Sequence, residues 1–208
     1  MTRPAPPPRA LVDELATLAA DLARTAGRLV RQGRTQGVHE VSTKSTATDM
    51  VTEFDRLAER MIVEGIHAHR PDDAVLGEEG SRRSGSSGIQ WLIDPIDGTT
   101  NFLYGLAGYA VSIAAADEHG TLVAAVHLPA TDELFTACRG GGAELDGQPL
   151  RPSSTATLAA ALVGTGFSYR PEVRERQARR LAELIGLVRD VRRFGAAAAD
   201  LCYVAAGR

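Results

Sequence analysis

The stretch WLIDPIDGTTNFLYG, residues 91–105, constrains the fold of this chain more than any other segment. Pro95 fixes its own φ and restricts the preceding residue to an extended conformation, so Asp94 is expected at the carboxyl end of a strand. Asp97 follows two residues after the proline, so two carboxylates flank it. The segment therefore predicts a stiff strand end that carries paired acidic side chains.

The residues after the second carboxylate favour the start of a helix. Gly98 permits a tight turn, and Thr99 or Thr100 is expected to cap the helix. The N–H groups and the positive dipole end of a helix attract phosphate, and carboxylates are ligands that Mg²⁺ prefers. A bare D-x-x-D pair is more often a turn or a cap than a ligand pair, but the whole string favours a metal and phosphate site.

Three segments, taken together, resemble one protein family. The run from Trp91 to Phe102 looks like the first signature of the inositol monophosphatase family of magnesium-dependent, lithium-sensitive sugar phosphatases. Upstream, LGEEG at residues 76–80 resembles the G-E-E element of that family. The third element is similar to K-S-x-x-D-x-V-T-x-x-D and consists of Lys44, Ser45, Asp49, Val51, Thr52 and Asp55. The resemblance runs from about Leu11 to Arg208.

The resemblance implies an α/β fold of the layered αβαβα sugar-phosphatase type, with largely antiparallel sheets, and a homodimer. One difference concerns the C-terminal part. The family has a W-D-x-A motif after the position of Arg208, and the single tryptophan of this chain is Trp91. We therefore expect a C-terminally truncated member that lacks the last strand and helix segment and one metal-binding Asp, with weak or absent turnover.

By resemblance, the metal ligands would hold two or three Mg²⁺ ions. Asp94 would bridge two of them, Glu78 and the Ile96 carbonyl would serve the first, and Asp97 would serve the second. Glu78 and Thr99 would orient the attacking water, so Glu78, Thr99 and Asp94 are the expected catalytic residues.

Further roles also follow from the resemblance. The backbone N–H groups of Gly98 and Thr99 would hold the substrate phosphate. Ala196 lies in a G-A-A-A segment that resembles the G-[ST]-A-A lining of the sugar pocket, and it replaces the usual hydroxyl residue. Lys44 and Asp55 would contact the metal site through waters.

Other polar residues have simpler interpretations. Asp49 has two equal interpretations: it caps the second helix, or it approaches the metal site. Glu79 fits a solvated turn, and His67 and His69, two positions apart on a helix, face different directions and are expected at the surface. The segment 170–180 alternates arginine with glutamate, which favours a solvated helix face over an RNA site.

Composition limits the remaining classes of protein. The chain has 208 residues, 44% of them hydrophobic, which is enough for one α/β domain. A net charge of −3 gives no case for nucleic acid or an anionic membrane as partner. No apolar run approaches a membrane span, and the N-terminus lacks the core of a signal peptide, so a cytoplasmic protein is expected. Cys138 and Cys202 are expected to be reduced thiols.

The chain divides into an unstructured arm at residues 1–8 and a phosphatase-like domain at residues 9–208. Apolar spacing predicts a helix from Leu11 to near Gly33 and a second one that ends before Pro71. Residues 35–48 and 80–88 are expected to be loops. The later expected elements are strands at 74–76, 91–93 and 110–137, a strand at 160–164, a helix at 171–187, a strand near 191 and a helix at 196–206.

These features favour a Mg²⁺-dependent phosphomonoesterase that hydrolyses inositol monophosphate or a similar small polyol phosphate. Histidinol phosphate phosphatase, fructose bisphosphatase and 3′-phosphonucleotide phosphatase are alternatives on similar scaffolds. A non-catalytic metal-binding or regulatory module is a further alternative, from a different class of protein. The metal motif does not separate these alternatives, because it carries no substrate contacts of its own.

Overall fold

The computed structural model describes residues 7–36, 41–43 and 50–208. The helices are α1 (Arg9–Gln36), α2 (Glu53–His69), α3 (Thr99–Tyr104), α4 (Pro171–Leu184) and α5 (Ala197–Ala205). The strands are β1 (Val41–Thr43), β2 (Met50–Thr52), β3 (Ala74–Gly77), β4 (Arg82–Arg83), β5 (Gln90–Asp97), β6 (Ala110–Asp117), β7 (Gly120–Leu128), β8 (Glu133–Cys138), β9 (Gly142–Leu145), β10 (Gln148–Pro149), β11 (Leu162–Gly164) and β12 (Asp190–Arg192). The predictions made for residues 1–6, Lys44, Ser45 and Asp49 fall outside the described residues.

An eight-stranded sheet forms the centre of the fold, in the order β10-β9-β8-β7-β6-β5-β3-β4. Only the β3–β5 pairing in this sheet is parallel, so the prediction of a largely antiparallel sheet is confirmed. β11 and β12 form a separate parallel pair.

Helices pack on both faces of this sheet, which gives the layered α/β arrangement that was predicted. The apolar positions of α1 recur every three or four residues, and the fully buried ones are Leu15, Ala19, Ala23, Ala26 and Val30. They pack against β6, β7 and α2, and α2 in turn packs against β5. Ala196 and Ala199, at the start of α5, cover the opposite face beside Ala110 of β6.

The start of α2 is set by a local cap, and the end of α1 differs from the prediction. Thr52 caps α2: its hydroxyl accepts from the amides of Phe54 and Asp55, and the Asp55 carboxylate accepts from the Thr52 amide. The N-cap of α2 is therefore Thr52, and the interpretation of Asp49 lies outside the described residues. Helix α1 extends beyond Gly33 to Gln36.

Both predicted loops contain short strands. Residues 41–43 of the predicted loop 35–48 form β1, which pairs with β2. Residues 82–83 of the predicted loop 80–88 form β4, which pairs with Val75 and Leu76 of β3. Such short polar strands depend on a partner elsewhere in the chain, so their own residues give no periodic signal.

Apolar side chains remain exposed around α5, β11 and β12. The largest exposed fractions there belong to Leu201 and Val204, at 71% and 62%. Among the described helices, none combines the length and the apolar character needed to cross a membrane. His67 and His69 are exposed, as predicted.

His127 is a buried polar residue between α1 and the sheet. Its Nε2 lies 3.0 Å from Asp132 Oδ1, and its Nδ1 has no hydrogen-bond partner in the described part of the chain. The ring packs so closely on α1 that a Cβ at Gly27 would lie 1.9 Å from Nδ1. Burial lowers the pKa of His127 below its ordinary value, although Asp132 acts in the opposite direction.

We expect the protein to lose stability as the pH falls below about 6.5, the pKa of an unfolded histidine. The unfolded chain takes up the proton more readily than the folded one, so this contribution is complete above that pH and is lost below it. The free energy of unfolding should fall by up to about 1.4 kcal/mol per pH unit. Urea unfolding at pH 7.5 and 5.5 measures this effect. His127→Gln should flatten the slope, and the exposed control His67→Gln should not; equal slopes in all three proteins would contradict the assignment.

Candidate metal and phosphate site

The parallel pairing of β3 and β5 brings Glu78 next to Asp94. Gly77 pairs with Ile93, and the Glu78 amide donates to the Ile93 carbonyl at 3.0 Å. Glu78 and Asp94 are therefore the next residues on two adjacent parallel strands, where Glu78 directly follows β3 and Asp94 lies within β5. The strand pairing thus brings the two acidic residues side by side, although only Glu78 stands at a strand end.

A β-bulge places the second aspartate on the same face as the first. Asp94 pairs with Ser112 and Asp97 pairs with Ala110, so three steps along β5 oppose two steps along β6. Because opposed residues share a face, the extra residue restores Asp97 to the side of Asp94. Pro95 fits this irregular stretch because it has no N–H for the ladder. β5 thus continues to Asp97, and the prediction that the strand ends at Asp94 is wrong.

Asp97 faces the start of α5. Its Oδ2 accepts a hydrogen bond from the Ala198 amide at 2.5 Å, which satisfies a helix N-terminus whose N-cap, Ala196, gives no side-chain bond. Burial raises the pKa of Asp97 above its ordinary value; nearby charge on Glu78 and Asp200 adds to the rise, and the amides of Ala197 and Ala198 oppose it. We call Glu78, Asp94 and Asp97 the acidic cluster.

Thr99 connects the acidic cluster to α2. Its hydroxyl lies 3.0 Å from the Ile96 carbonyl and 3.2 Å from Asp55 Oδ1, and it can donate to one of them at a time. Asp55 is 1% exposed, and its other oxygen accepts from the amide and the hydroxyl of Thr52. Asp55 therefore lies beside the predicted site and contacts it through Thr99. Its water-mediated contact with the metal site stays a prediction.

Gly98, and not a threonine, is the N-cap of α3, so the prediction that Thr99 or Thr100 caps the helix is wrong. Gly98 has φ 88°, a left-handed conformation that glycine adopts readily. A Cβ there would lie 2.8 Å from the Gly108 carbonyl oxygen and 3.0 Å from the Ala196 Cβ. The turn is thus packed between the residues that precede β6 and those that precede α5, so no side chain fits there.

Two residues of the site were assigned no role from the sequence. The buried side chain of Asn101 donates at 2.5 Å to the carbonyls of Gly108 and Phe194, and so joins α3 to the chain before α5. Glu59 is buried on α2 and accepts hydrogen bonds from the turn after Glu78. The sequence could have indicated a role for Glu59, because this residue lies four positions after Asp55 and therefore on the same helix face.

A cavity of about 470 Å³ lies next to Asp97, within the size range of small-molecule sites. Its polar lining includes Asp97, Thr165, Tyr169, Arg193 and Asp200, and the predicted substrate residue Ala196 also borders it. Asp200 Oδ1 is buried without a hydrogen-bond partner among the described residues. Burial raises the pKa of Asp200, and the Arg193 charge opposes the rise.

The donors at the acidic cluster suit a hard cation. Carboxylates and a carbonyl oxygen are the ligands that Mg²⁺ prefers, and a cation would offset the repulsion between Glu78 and Asp97. In residues 7–36, 41–43 and 50–208, however, no three acidic, histidine or cysteine side chains are arranged closely enough to hold a metal ion. The chemistry of the donors fits the ion, and the ligand set of Glu78, Asp94, Ile96 and Asp97 stays a prediction.

Comparison with known proteins agrees with this chemistry. The profile of the inositol monophosphatase family matches residues 11–208. Inositol-1-monophosphatase SuhB from Mycobacterium tuberculosis is 41% identical over 226 residues, covering 100% of this chain and 77% of that protein. Nus factor SuhB from Pseudomonas aeruginosa is 44% identical over 199 residues, covering 92% and 73%.

A solved structure shows the same fold. The extragenic suppressor protein suhB from Bartonella henselae superposes with a TM-score of 0.87 at 36% identity, covering 92% of this chain and 74% of that one. The chain thus spans about three quarters of the length of the proteins it matches.

Proposed function

Because the chain belongs to the inositol monophosphatase family, we propose that it hydrolyses inositol monophosphate or a similar small polyol phosphate with Mg²⁺ as cofactor. The observation that carries the proposal is the Thr99 hydroxyl, which lies between the Asp55 carboxylate and the Ile96 carbonyl beside the acidic cluster. A hydroxyl held in this way can orient a water toward a phosphate bound over the cluster.

The acidic cluster would hold the metal. Glu78, Asp94 and the Ile96 carbonyl would bind one Mg²⁺, and Asp94 with Asp97 would bind another. When bound, magnesium supplies positive charge for the phosphoryl oxygens and lowers the pKa of a coordinated water. The α5 amides that contact Asp97 hold its carboxylate toward the cavity.

Asp55 and Thr99 would act together on the attacking water. Asp55 is buried and fixed by Thr52, so it presents one oxygen to the Thr99 hydroxyl in a constant position. When the Thr99 hydroxyl donates a hydrogen bond to Asp55, the Thr99 oxygen can accept a hydrogen bond from a water. Glu78, which directly follows the neighbouring strand β3, would hold the same water.

The substrate would span the turn at Gly98 and the cavity beside α5. The amides of Gly98 and Thr99 open α3, where backbone N–H groups lack partners within the helix, and these would hold the phosphate. Arg193, Asp200 and Tyr169 of the cavity offer donors and acceptors that suit the hydroxyl groups of a polyol. Ala196 gives this cavity an apolar wall.

We expect phosphate release to require Mg²⁺, to continue with Mn²⁺, and to be inhibited by lithium and by excess Ca²⁺. Calcium accepts higher and looser coordination than a site that needs octahedral geometry. The measurement is phosphate release from inositol monophosphate, histidinol phosphate, fructose 1,6-bisphosphate and a 3′-phosphonucleotide, each with and without metal. The substrate with the highest kcat/KM identifies the class among the four. Turnover that persists in excess chelator would contradict the mechanism.

A regulatory role without turnover is the second candidate. It is favoured by relatives that are 39–44% identical and are named Nus factor SuhB. In that case the protein would bind Mg²⁺ and release no phosphate from any substrate in the panel. The homodimer, the cytoplasmic location and the absence of a nucleic-acid partner also stay predictions, and light scattering of the purified protein tests the first.

A further inference from the structure

Helix α2 carries a second buried carboxylate one turn after Asp55. Glu59 is 2% exposed, and its two oxygens accept from different amides of one turn. Oε2 lies 2.7 Å from the Glu79 nitrogen, and Oε1 lies 2.9 Å from the Ser81 nitrogen. A buried carboxylate is costly unless it is hydrogen-bonded, so these two contacts explain how it is tolerated.

The turn that Glu59 binds is the one that carries Glu78. The Gly77 amide donates to the Ser81 carbonyl at 2.8 Å, which closes the turn, and the Glu78 amide donates to Ile93 of β5. The backbone at Gly77 also rests on Glu59, because a Cβ there would lie 2.3 Å from the Glu59 carboxyl carbon. The backbone of residues 77–81 is thus held by β5 on one side and by Glu59 on the other.

We propose that Glu59 is a positioning residue that holds the Glu78 turn so that the Glu78 carboxylate meets Asp94 in one metal site. The inference rests on the proposed function, in which Glu78 binds Mg²⁺. Asp55 and Glu59 lie four residues apart on one face of α2, and the first fixes Thr99 while the second fixes the Glu78 turn. One rigid helix therefore sets the distance between the metal ligand and the hydroxyl that orients water.

The test compares Glu59→Gln with Glu64→Gln, the same substitution at an exposed position of the same helix. The glutamine has a similar size, but its NH₂ group faces one of the two amides and cannot accept from it. Partners that orient metal ligands typically change affinity by 10–100-fold when altered, so Glu59→Gln should weaken Mg²⁺ binding by about tenfold or more. Glu64→Gln should bind Mg²⁺ as the parent protein does.

Three measurements separate positioning from general stability. Calorimetric titration with MgCl₂ gives the affinity without turnover, hydrogen exchange of the amides in residues 77–81 reports the order of the turn, and urea unfolding reports stability. We expect Glu59→Gln to accelerate this exchange and to raise the Mg²⁺ concentration needed for half-maximal phosphate release by the same factor as the dissociation constant. Should this variant fail to fold, Gly77→Ala, which crowds the same carboxylate, should give the same loss of affinity.

Unchanged Mg²⁺ affinity in Glu59→Gln, with or without a lower unfolding midpoint, would overturn this inference and leave the proposed function intact. A parent protein that binds no Mg²⁺ would overturn the proposed function, and the inference would fall with it. The parent titration therefore tells the two failures apart.

Discussion

Asp94→Asn is expected to abolish magnesium-dependent hydrolysis while the protein stays folded. Asp94 is the proposed bridge between two ions, and an amide lacks the negative charge that both require. The loss of one preorganised electrostatic partner in an active site lowers kcat by about a hundredfold or more, and loss of the bridging ligand should reach at least that. The fold should tolerate the change, because asparagine has the same shape and lacks the charge.

Phosphate release and calorimetric Mg²⁺ binding should both fall in Asp94→Asn, and the urea unfolding midpoint should stay near that of the parent protein. Asp21→Asn is the matched control, since Asp21 is exposed on α1 away from the acidic cluster. Near-parental turnover and Mg²⁺ affinity in Asp94→Asn would remove Asp94 from the site.

Trp91→Ala is expected to produce the largest loss of stability of any single substitution considered. Trp91 is fully buried at the centre of the core between the sheet and the helices α1 and α2. Its Nε1 also donates to Asp73 Oδ2 at 2.9 Å, and Asp73 pairs with Arg70. Truncation would leave a large cavity and remove one partner from a buried carboxylate, so the free energy of unfolding should fall by about 3–5 kcal/mol.

Urea unfolding followed by circular dichroism measures this change, because Trp91 is the only tryptophan and fluorescence is lost with it. Leu106→Ala is the control, since Leu106 is 57% exposed and its truncation should change the free energy by less than about 0.5 kcal/mol. A loss below 1 kcal/mol in Trp91→Ala would show that this position is not central to the core.

The helices and strands with periodic sequences could be predicted, because the spacing of their apolar residues shows which face is buried. Along α1, apolar residues recur every three or four positions, and this spacing placed the helix to within about three residues at each end. The strands β6, β7 and β8 were indicated by alternating apolar runs between turn residues. The short strands β1 and β4 were missed, because they form only by pairing with another strand and their own residues carry no periodic pattern.

The candidate site was predictable in part, because its acidic residues can be recognised from their positions in the sequence. Carboxylates at strand ends are visible in the order of residues, and the pairing of β3 with β5 confirmed that Glu78 and Asp94 are adjacent. The bulge that turns Asp97 to the same face was not visible, because Pro95 is compatible both with the end of a strand and with an irregular strand.

By itself the amino-acid sequence determined which chemical groups are available and which elements carry them: oxygen donors near a glycine turn, amphipathic helices and an antiparallel meander. Only the tertiary structure decided which groups meet. Asp55 contacts Thr99 across 44 positions, and Asp97 contacts Ala198 across 101. Such contacts depend on how distant segments of the chain pack together. This packing is set by the burial of apolar surface over the whole domain, and no local pattern of residues shows it.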